Sequence, residues 1–271
     1  MDTFIKQRLL EKIKKRLELV LPNFIFDIIL KMFRKFKLVL NLVIPKFVRQ
    51  IISKVQRRIM CGYVNFKYRN YSVEKLAQLY DKDYHQTYIN NSDEIEIKKW
   101  QAIAIQRALP NCRKVLIAGC SGGELIRALK KIGIEAYGFD VSPDLDKIVI
   151  DEVRLYIRQG SILNIPFFTS DKFDTFIAID VFEHIPIGQI DNMIKEIARI
   201  NVKYIVTVIN YFDYKHIGHI TMKSLLWWQK KFRNYYQIDK NIDFSKDDIP
   251  SLYSLNNDPV YKFIFWRRVK T

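Results

Sequence analysis

Cysteine and histidine are scarce in this chain, and neither follows a ligand spacing. The three cysteines, Cys61, Cys112 and Cys120, form no CxxC pair and no Cys/His cluster, and the four histidines show no metal pattern. An odd, sparse cysteine count excludes a disulfide scaffold and fits a reducing compartment. No metal site is expected from these spacings. Long uncharged apolar runs are also missing. The greasiest window, residues 23–41, still carries Asp27, Lys31, Arg34, Lys35 and Lys37. Each charge near a bilayer centre costs about 2.5–3.5 kcal/mol on insertion scales, so no transmembrane span is expected. The same charges, and the run's distance from the N-terminus, argue against a cleaved signal peptide.

Acidic residues are in deficit, 29 against 45 basic, for a net charge of +16 over 271 residues. The excess is uneven. Residues 1–60 hold 15 Lys/Arg and 4 Asp/Glu, a balance of +11, and the remaining residues hold 30 and 25, only +5. Basic character therefore belongs to an appendage, which points to an anionic surface such as lipid or nucleic acid. An apolar content of 49% is ample for a core.

The appendage is periodic. Ile5, Leu9, Ile13, Leu17 and Val20/Leu21 recur at helical spacing. After Pro22, the residues Asn23, Asp27, Lys31, Arg34/Lys35 and Asn41 form a narrow polar stripe on an apolar helix. After Pro45, Phe47, Val48, Ile51, Ile52, Val55 and Ile59 share a face. Three basic amphipathic helices broken by prolines predict a chain lying in a membrane interface. The alternative is a helical subdomain packed on the body or on a partner. Nucleic acid is not expected, because the segment is greasy and carries no groove-binding motif. Residues 61–110 are aromatic-rich and read as a helical cap or lid. Ser72 can cap a helix start, Ile95–Leu109 reads as a helix, and Tyr80 and Tyr84 can close over a ligand.

From residue 111 the chain alternates. Strands are expected at Lys114–Ala118, Ile134–Phe139, Val153–Ile157, Phe173–Ile179, Tyr204–Ile209 and Val260–Trp266. Helices are expected at Leu125–Lys131, Asp144–Ile150, Ile190–Ile200 and Met222–Phe232. This predicts an α/β fold, a Rossmann-like and largely parallel seven-stranded sheet with helices on both faces. Val115-Leu-Ile-Ala-Gly-Cys-Ser-Gly-Gly-Glu124 reads as a buried strand, a tight turn and a helix start. Its glycines bring backbone close to a ligand, and the first helical N–H groups can face it. Asp140 follows Gly119 by 21 residues, where a nucleotide-binding unit places the acid that grips ribose hydroxyls. The turn lacks the second glycine of G-x-G-x-x-G, which weighs against a nicotinamide dehydrogenase.

Four segments in order resemble the motifs of class I S-adenosylmethionine-dependent methyltransferases. They are Val115–Gly123, Ala136–Pro143, Gln159–Phe167 and Phe173–Pro186, the last with its Glu183-His184 pair. Gly218–Trp228 resembles a segment after the fifth strand of small-molecule members. The resemblance implies S-adenosylmethionine as cofactor. Gly119, Cys120, Ser121 and Gly123 would cradle its methionine part, with Cys120 contributing backbone only. Asp140 would take the ribose hydroxyls, Val141 would pack on adenine, and Ser161 and Ile162 would edge the base. Asp180 and Val181 would lie near the sulfonium. His184 is the expected general base, with His219 and His216 weaker candidates. The chain departs from the family where Ile117 and Ser161 stand in place of acids, and where Ser121 replaces a glycine. A serine there is tolerable if its φ stays negative.

The expected activity is methyl transfer to a small-molecule, glycan or lipid-linked acceptor at the cytoplasmic membrane face. The competing reading is a methyltransferase-like scaffold recruited to membranes. A nucleic-acid methyltransferase is disfavoured, because neither an Asn/Asp-Pro-Pro-aromatic tetrapeptide nor a Pro-Cys nucleophile is present.

Overall fold

The computed structural model describes residues 71, 72, 75, 77, 78, 80 and 85, then 92–167, 172–210, 218–242 and 263–269. The three expected N-terminal helices, most of the 61–91 part of the cap, Tyr84 and His216 lie outside the described residues.

Alternation in the sequence becomes alternation in space. The chain runs through α1 (Ser92–Ala108), β1 (Lys114–Ala118), α2 (Glu124–Lys131), β2 (Glu135–Asp140), α3 (Leu145–Ile148) and β3 (Ile157–Gln159). It continues through β4 (Thr175–Ile179), α4 (Ile190–Ile200), β5 (Tyr204–Val208), α5 (Leu225–Phe232), β6 (Tyr236–Ile238) and β7 (Ile264–Arg268). One seven-stranded sheet results, in the order β3-β2-β1-β4-β5-β7-β6. The first five strands pair in parallel, and β7 runs antiparallel to both β5 and β6.

The strands are near-continuous apolar runs because both faces of the sheet are covered. Side chains alternate between faces. Leu116, Ala118, Phe176 and Ala178 pack with Met193 and Ile197 of α4 and Trp228 and Phe232 of α5. Val115, Ile117, Ile177 and Val206 pack with Ile105 of α1 and Ile126 and Leu129 of α2. Ile117 is thus a core residue on the α1/α2 face. At the far edge, Trp266 on β7 meets Phe232 at 4.9 Å between ring centroids, and its indole N–H donates to Thr207 Oγ1 at 3.0 Å. Asp174 holds the opposite ends of the strands together. Its Oδ2 accepts the Arg113 and Lys114 N–H groups at 2.7 and 2.8 Å, and its carbonyl accepts those of Lys203 and Tyr204.

Several expected boundaries move. Residues Asp151–Tyr156 form a 3-10 helix, so the strand expected at Val153–Ile157 begins only at Ile157. Arg154 explains part of this: its guanidinium holds the Asp146 and Val149 carbonyls and the Asp151 carboxylate, which closes a turn. The helix expected over Asp144–Ile150 is one turn, Leu145–Ile148. That expected over Met222–Phe232 starts at Leu225, where Ser224 accepts the Trp227 N–H as an N-cap. Ser72 Oγ likewise accepts the Lys75 N–H at 3.2 Å. The three-residue strand β6 had no sequence signal.

The strand order reverses between β1 and β4, which opens a crevice at the carboxyl ends of these strands. Trp266 tests the packing behind it. Trp266→Ala should lower unfolding free energy by about 3–5 kcal/mol in urea titration. Trp266→Phe should cost about 1–3 kcal/mol, chiefly because Thr207 loses its buried donor.

Candidate active site

The site begins where β1 ends. Gly119 and Cys120 donate their N–H groups to the Phe139 carbonyl at 2.9 and 3.2 Å, which ties the turn to the end of β2. Gly119 has φ +65°, and a Cβ there would lie 2.7 Å from Val181 Cγ2. Only glycine therefore lets the loops after β1 and β4 approach this closely. Ser121 also has a positive φ, +49°, outside the negative range in which a serine is tolerated without support. Three bonds hold it there: its N–H donates to Asp140 Oδ2 at 2.9 Å, its Oγ lies 2.8 Å from His85 Nδ1, and Cys120 Sγ approaches its carbonyl.

Asp140 ends β2, buried, with each oxygen engaged once. Oδ2 takes the Ser121 N–H, and Oδ1 takes the Ser142 N–H at 2.9 Å. A carboxylate oxygen accepts two hydrogen bonds, so each retains a lone pair. Val141 is half-buried against the apolar layer, and Ile162 is buried in it. Gly160 donates to the Asp140 carbonyl, which sets Ser161 beside the end of β2. Ser161 Oγ accepts the Leu163 N–H at 3.2 Å and so closes its own loop. Asp180, exposed with φ +53°, follows β4, and its N–H donates to the Val208 carbonyl. Gly123 is the N-cap of α2. The fold thus brings Gly119–Gly123, Asp140, Val141, Ser161, Ile162, Asp180 and Val181 to one edge of the sheet. Cys120 is sealed beneath the turn. Burial first, and then the Asp140 charge, push its thiol well above the ordinary range, so it is no nucleophile.

His184 closes a 3-10 turn, Phe182–His184. Its Nδ1 lies 2.7 Å from Tyr80 Oη, and its ring meets His219 edge-on at 4.7 Å between centroids. Gly218 makes room for this: with φ +90°, its missing Cβ would fall onto Tyr80 Oη and within 2.8 Å of His184 Nδ1. Tyr80 is anchored a second time, where its carbonyl accepts the Ser142 hydroxyl at 2.6 Å.

Sequence reasoning named Glu183 only as half of a motif. The structure shows it fully buried. Its Oε1 accepts the Asn210 N–H at 2.8 Å, and its carbonyl accepts the Ile220 and Thr221 N–H groups. Burial, then repulsion from Asp180, raise its carboxyl well above the usual carboxylate range. Glu183 Oε1 and the Glu183 carbonyl therefore stitch the loop after β4 to the loops after β5. Among the described residues, Glu183, His184 and His219 are the only group of three or more His, Cys, Asp or Glu clustered closely enough to hold a metal ion. Their spacing in sequence could not reveal this, because His219 arrives from another strand end.

Residues 116–203 match the family model of a methyltransferase domain. A ubiquinone biosynthesis O-methyltransferase of Xanthomonas campestris pv. campestris is 29% identical over 89 residues, 31% of this chain and 37% of the relative. The matched segment thus spans little more than a third of that enzyme. The crystal structure of a protein from Pyrococcus horikoshii OT3 superposes with a TM-score of 0.54 at 15% identity, over 69% of this chain and 99% of that one. An S-adenosylmethionine-dependent methyltransferase from Archaeoglobus fulgidus gives 0.43 at 15% identity, over 64% and 94%. Residues 116–203 thus carry the sequence pattern of a methyltransferase domain, and the seven-stranded, largely parallel sheet they contribute to is Rossmann-like.

Two stability measurements probe the site's construction. Gly218→Ala should cost about 1–3 kcal/mol through its strained angle and the clash. Combined with Tyr80→Phe, which removes the clashing oxygen, the loss should be less than additive in a double-mutant cycle. Burial raises the Glu124 carboxyl above its ordinary 4.5. The folded state therefore holds this proton more tightly than the unfolded one, and its contribution is lost as pH rises through the folded value. Glu124→Gln should flatten that fall in urea titrations run from pH 4.5 upward.

Proposed function

We propose that this chain transfers a methyl group from S-adenosylmethionine to a small-molecule acceptor, with residues 1–60 holding it on an anionic membrane surface. One observation carries the first half. Asp140 stands at the end of β2, braced by two backbone N–H groups and keeping a lone pair on each oxygen. That suits a pair of neighbouring hydroxyls such as those of a ribose. The glycine turn beside it lies directly against Val181 after β4, so the cofactor's two ends have complementary walls on adjacent strands. When bound, the cofactor supplies an electrophilic sulfonium methyl. The chain's own contribution is to place the acceptor in line with it and to exclude water, which can supply most of the rate advantage of such a transfer.

The segment at Tyr80 and His85 supports the closure. It is pinned to the ends of β1, β2 and β4 through Ser121, Ser142 and His184. Val141 and Ile162 supply apolar walls, and Ser161 a hydroxyl, for the adenine side, and Val181 an apolar wall at the methionine end. The +11 balance of residues 1–60 and their amphipathic spacing support lipid contact on a cytoplasmic face and favour a lipid-linked or glycan acceptor. No helix among the described residues is long and apolar enough to cross a membrane.

Calorimetry with S-adenosylmethionine tests the first half. The full-length protein should bind it, and Asp140→Ala should weaken binding at least about tenfold, the loss of one charge-assisted hydrogen-bonding group. Equal affinity in both proteins, or none in either, would overturn the assignment. For the membrane, the intact chain should sediment with anionic liposomes and be released by salt, while a chain lacking residues 1–60 should stay in solution. An intact chain that never sediments refutes the lipid contact.

A further inference from the structure

We infer that Glu183, His184 and His219 form a binding site for a divalent transition-metal ion beside the methyl-transfer crevice. Each offers one ligand atom, and these atoms all lie within 4.8 Å of one another. A tetrahedral ion with bonds of about 2.1 Å sets its ligands about 3.4 Å apart. Side-chain rotations of about an ångström would close the three on an ion. Two imidazoles and a carboxylate suit zinc, cobalt, manganese or iron better than calcium or magnesium.

The second observation is a buried oxygen. Glu183 has no exposed surface, and its Oε1 takes the Asn210 N–H, but its Oε2 is buried without a hydrogen-bond partner. No Lys or Arg pairs with this carboxylate among the described residues. An isolated buried carboxylate is costly unless a cation or a proton compensates it. Two neighbouring imidazoles make the cation a coordinated metal. His184 is also oriented as a ligand would be. Its Nδ1 lies 2.7 Å from Tyr80 Oη; in the tautomer whose Nδ1–H donates to that oxygen, Nε2 carries the lone pair, the outer-shell arrangement found around metal-bound histidines.

Three protein ligands leave at least one position open. On the methyl-transfer reading, on which only this role rests, that position takes a hydroxyl oxygen of the acceptor. The ion lowers the hydroxyl's pKa, and the proton leaves to bulk solvent as the acceptor binds, before water is excluded. The oxygen then bonds to the methyl carbon as the C–S bond breaks, its electron pair staying on sulfur. The ion so performs the deprotonation that the sequence assigns to His184.

The test needs no acceptor. Full-length protein, stripped with chelator, is titrated with cobalt(II) and with zinc(II) by calorimetry, and cobalt is followed by its visible d–d absorption. One equivalent should bind, with the intense bands of a low-symmetry site, and zinc should displace it. Glu183→Gln and His219→Ala should each weaken uptake at least tenfold while circular dichroism stays native. If Glu183→Gln fails to fold, His219→Ala and the cobalt spectrum decide alone. No stoichiometric uptake, or uptake unchanged in the folded variants, overturns the site and leaves Glu183 as a protonated structural carboxyl. S-adenosylmethionine binding by the same stripped sample separates the two claims. Cofactor binding without metal uptake retains the methyltransferase and removes the site. Metal uptake without cofactor binding does the reverse.

Discussion

The carboxylate of Asp140 is the constraint on which the crevice depends. It accepts one N–H from the turn after β1 and one from the loop after β2, so two strand ends share one charge. Removing it would strand the buried Ser142 N–H and the half-buried Ser121 N–H, and release a serine held at positive φ. The glycine turn cannot keep its shape independently of the acid that follows it in sequence. The shape of the turn and the position of the acid therefore draw on the same atoms.

Glu183 plays the matching part on the other side of the switch point. Its Oε1 and its carbonyl together hold Asn210, Ile220 and Thr221, which shape the loops after β5 around the end of β4. Thr221 adds a bond of 2.6 Å from its hydroxyl to the Ile185 carbonyl. These bonds bring Gly218 and His219 against His184. The two carboxylates differ in kind. Asp140 is satisfied on both oxygens by backbone, whereas Glu183 is satisfied on one and buried on the other. That asymmetry distinguishes two acids that both stand at strand ends.

The segment through Tyr80 and His85 completes the site from outside the sheet. Its contacts reach three strand ends, and the Tyr80–His184 bond joins residues 104 apart in sequence. Gly218 is the residue that permits this approach, since any side chain there would occupy the place of the Tyr80 hydroxyl.

Much of this was legible without coordinates, for local reasons. Strand, turn and helix between Val115 and Glu124 follow from apolar runs and glycines, and Asp140 follows from its place after the second run. Alternation of elements predicted the parallel sheet, because each strand must be covered on both faces. Short or edge elements escaped. Residues 153–156 carry strand-like side chains but turn under the grip of Arg154, and β6 is three residues long. Contacts between distant segments escaped altogether. The left-handed Ser121 depends on Asp140 and His85, and the Glu183, His184 and His219 cluster depends on two loops meeting. The sequence by itself determined the order of elements and which residues stand at strand ends, since those rest on interactions within a few residues. Only the tertiary structure decided which side chains face one another there, since burial and pairing are properties of segments that are far apart along the chain.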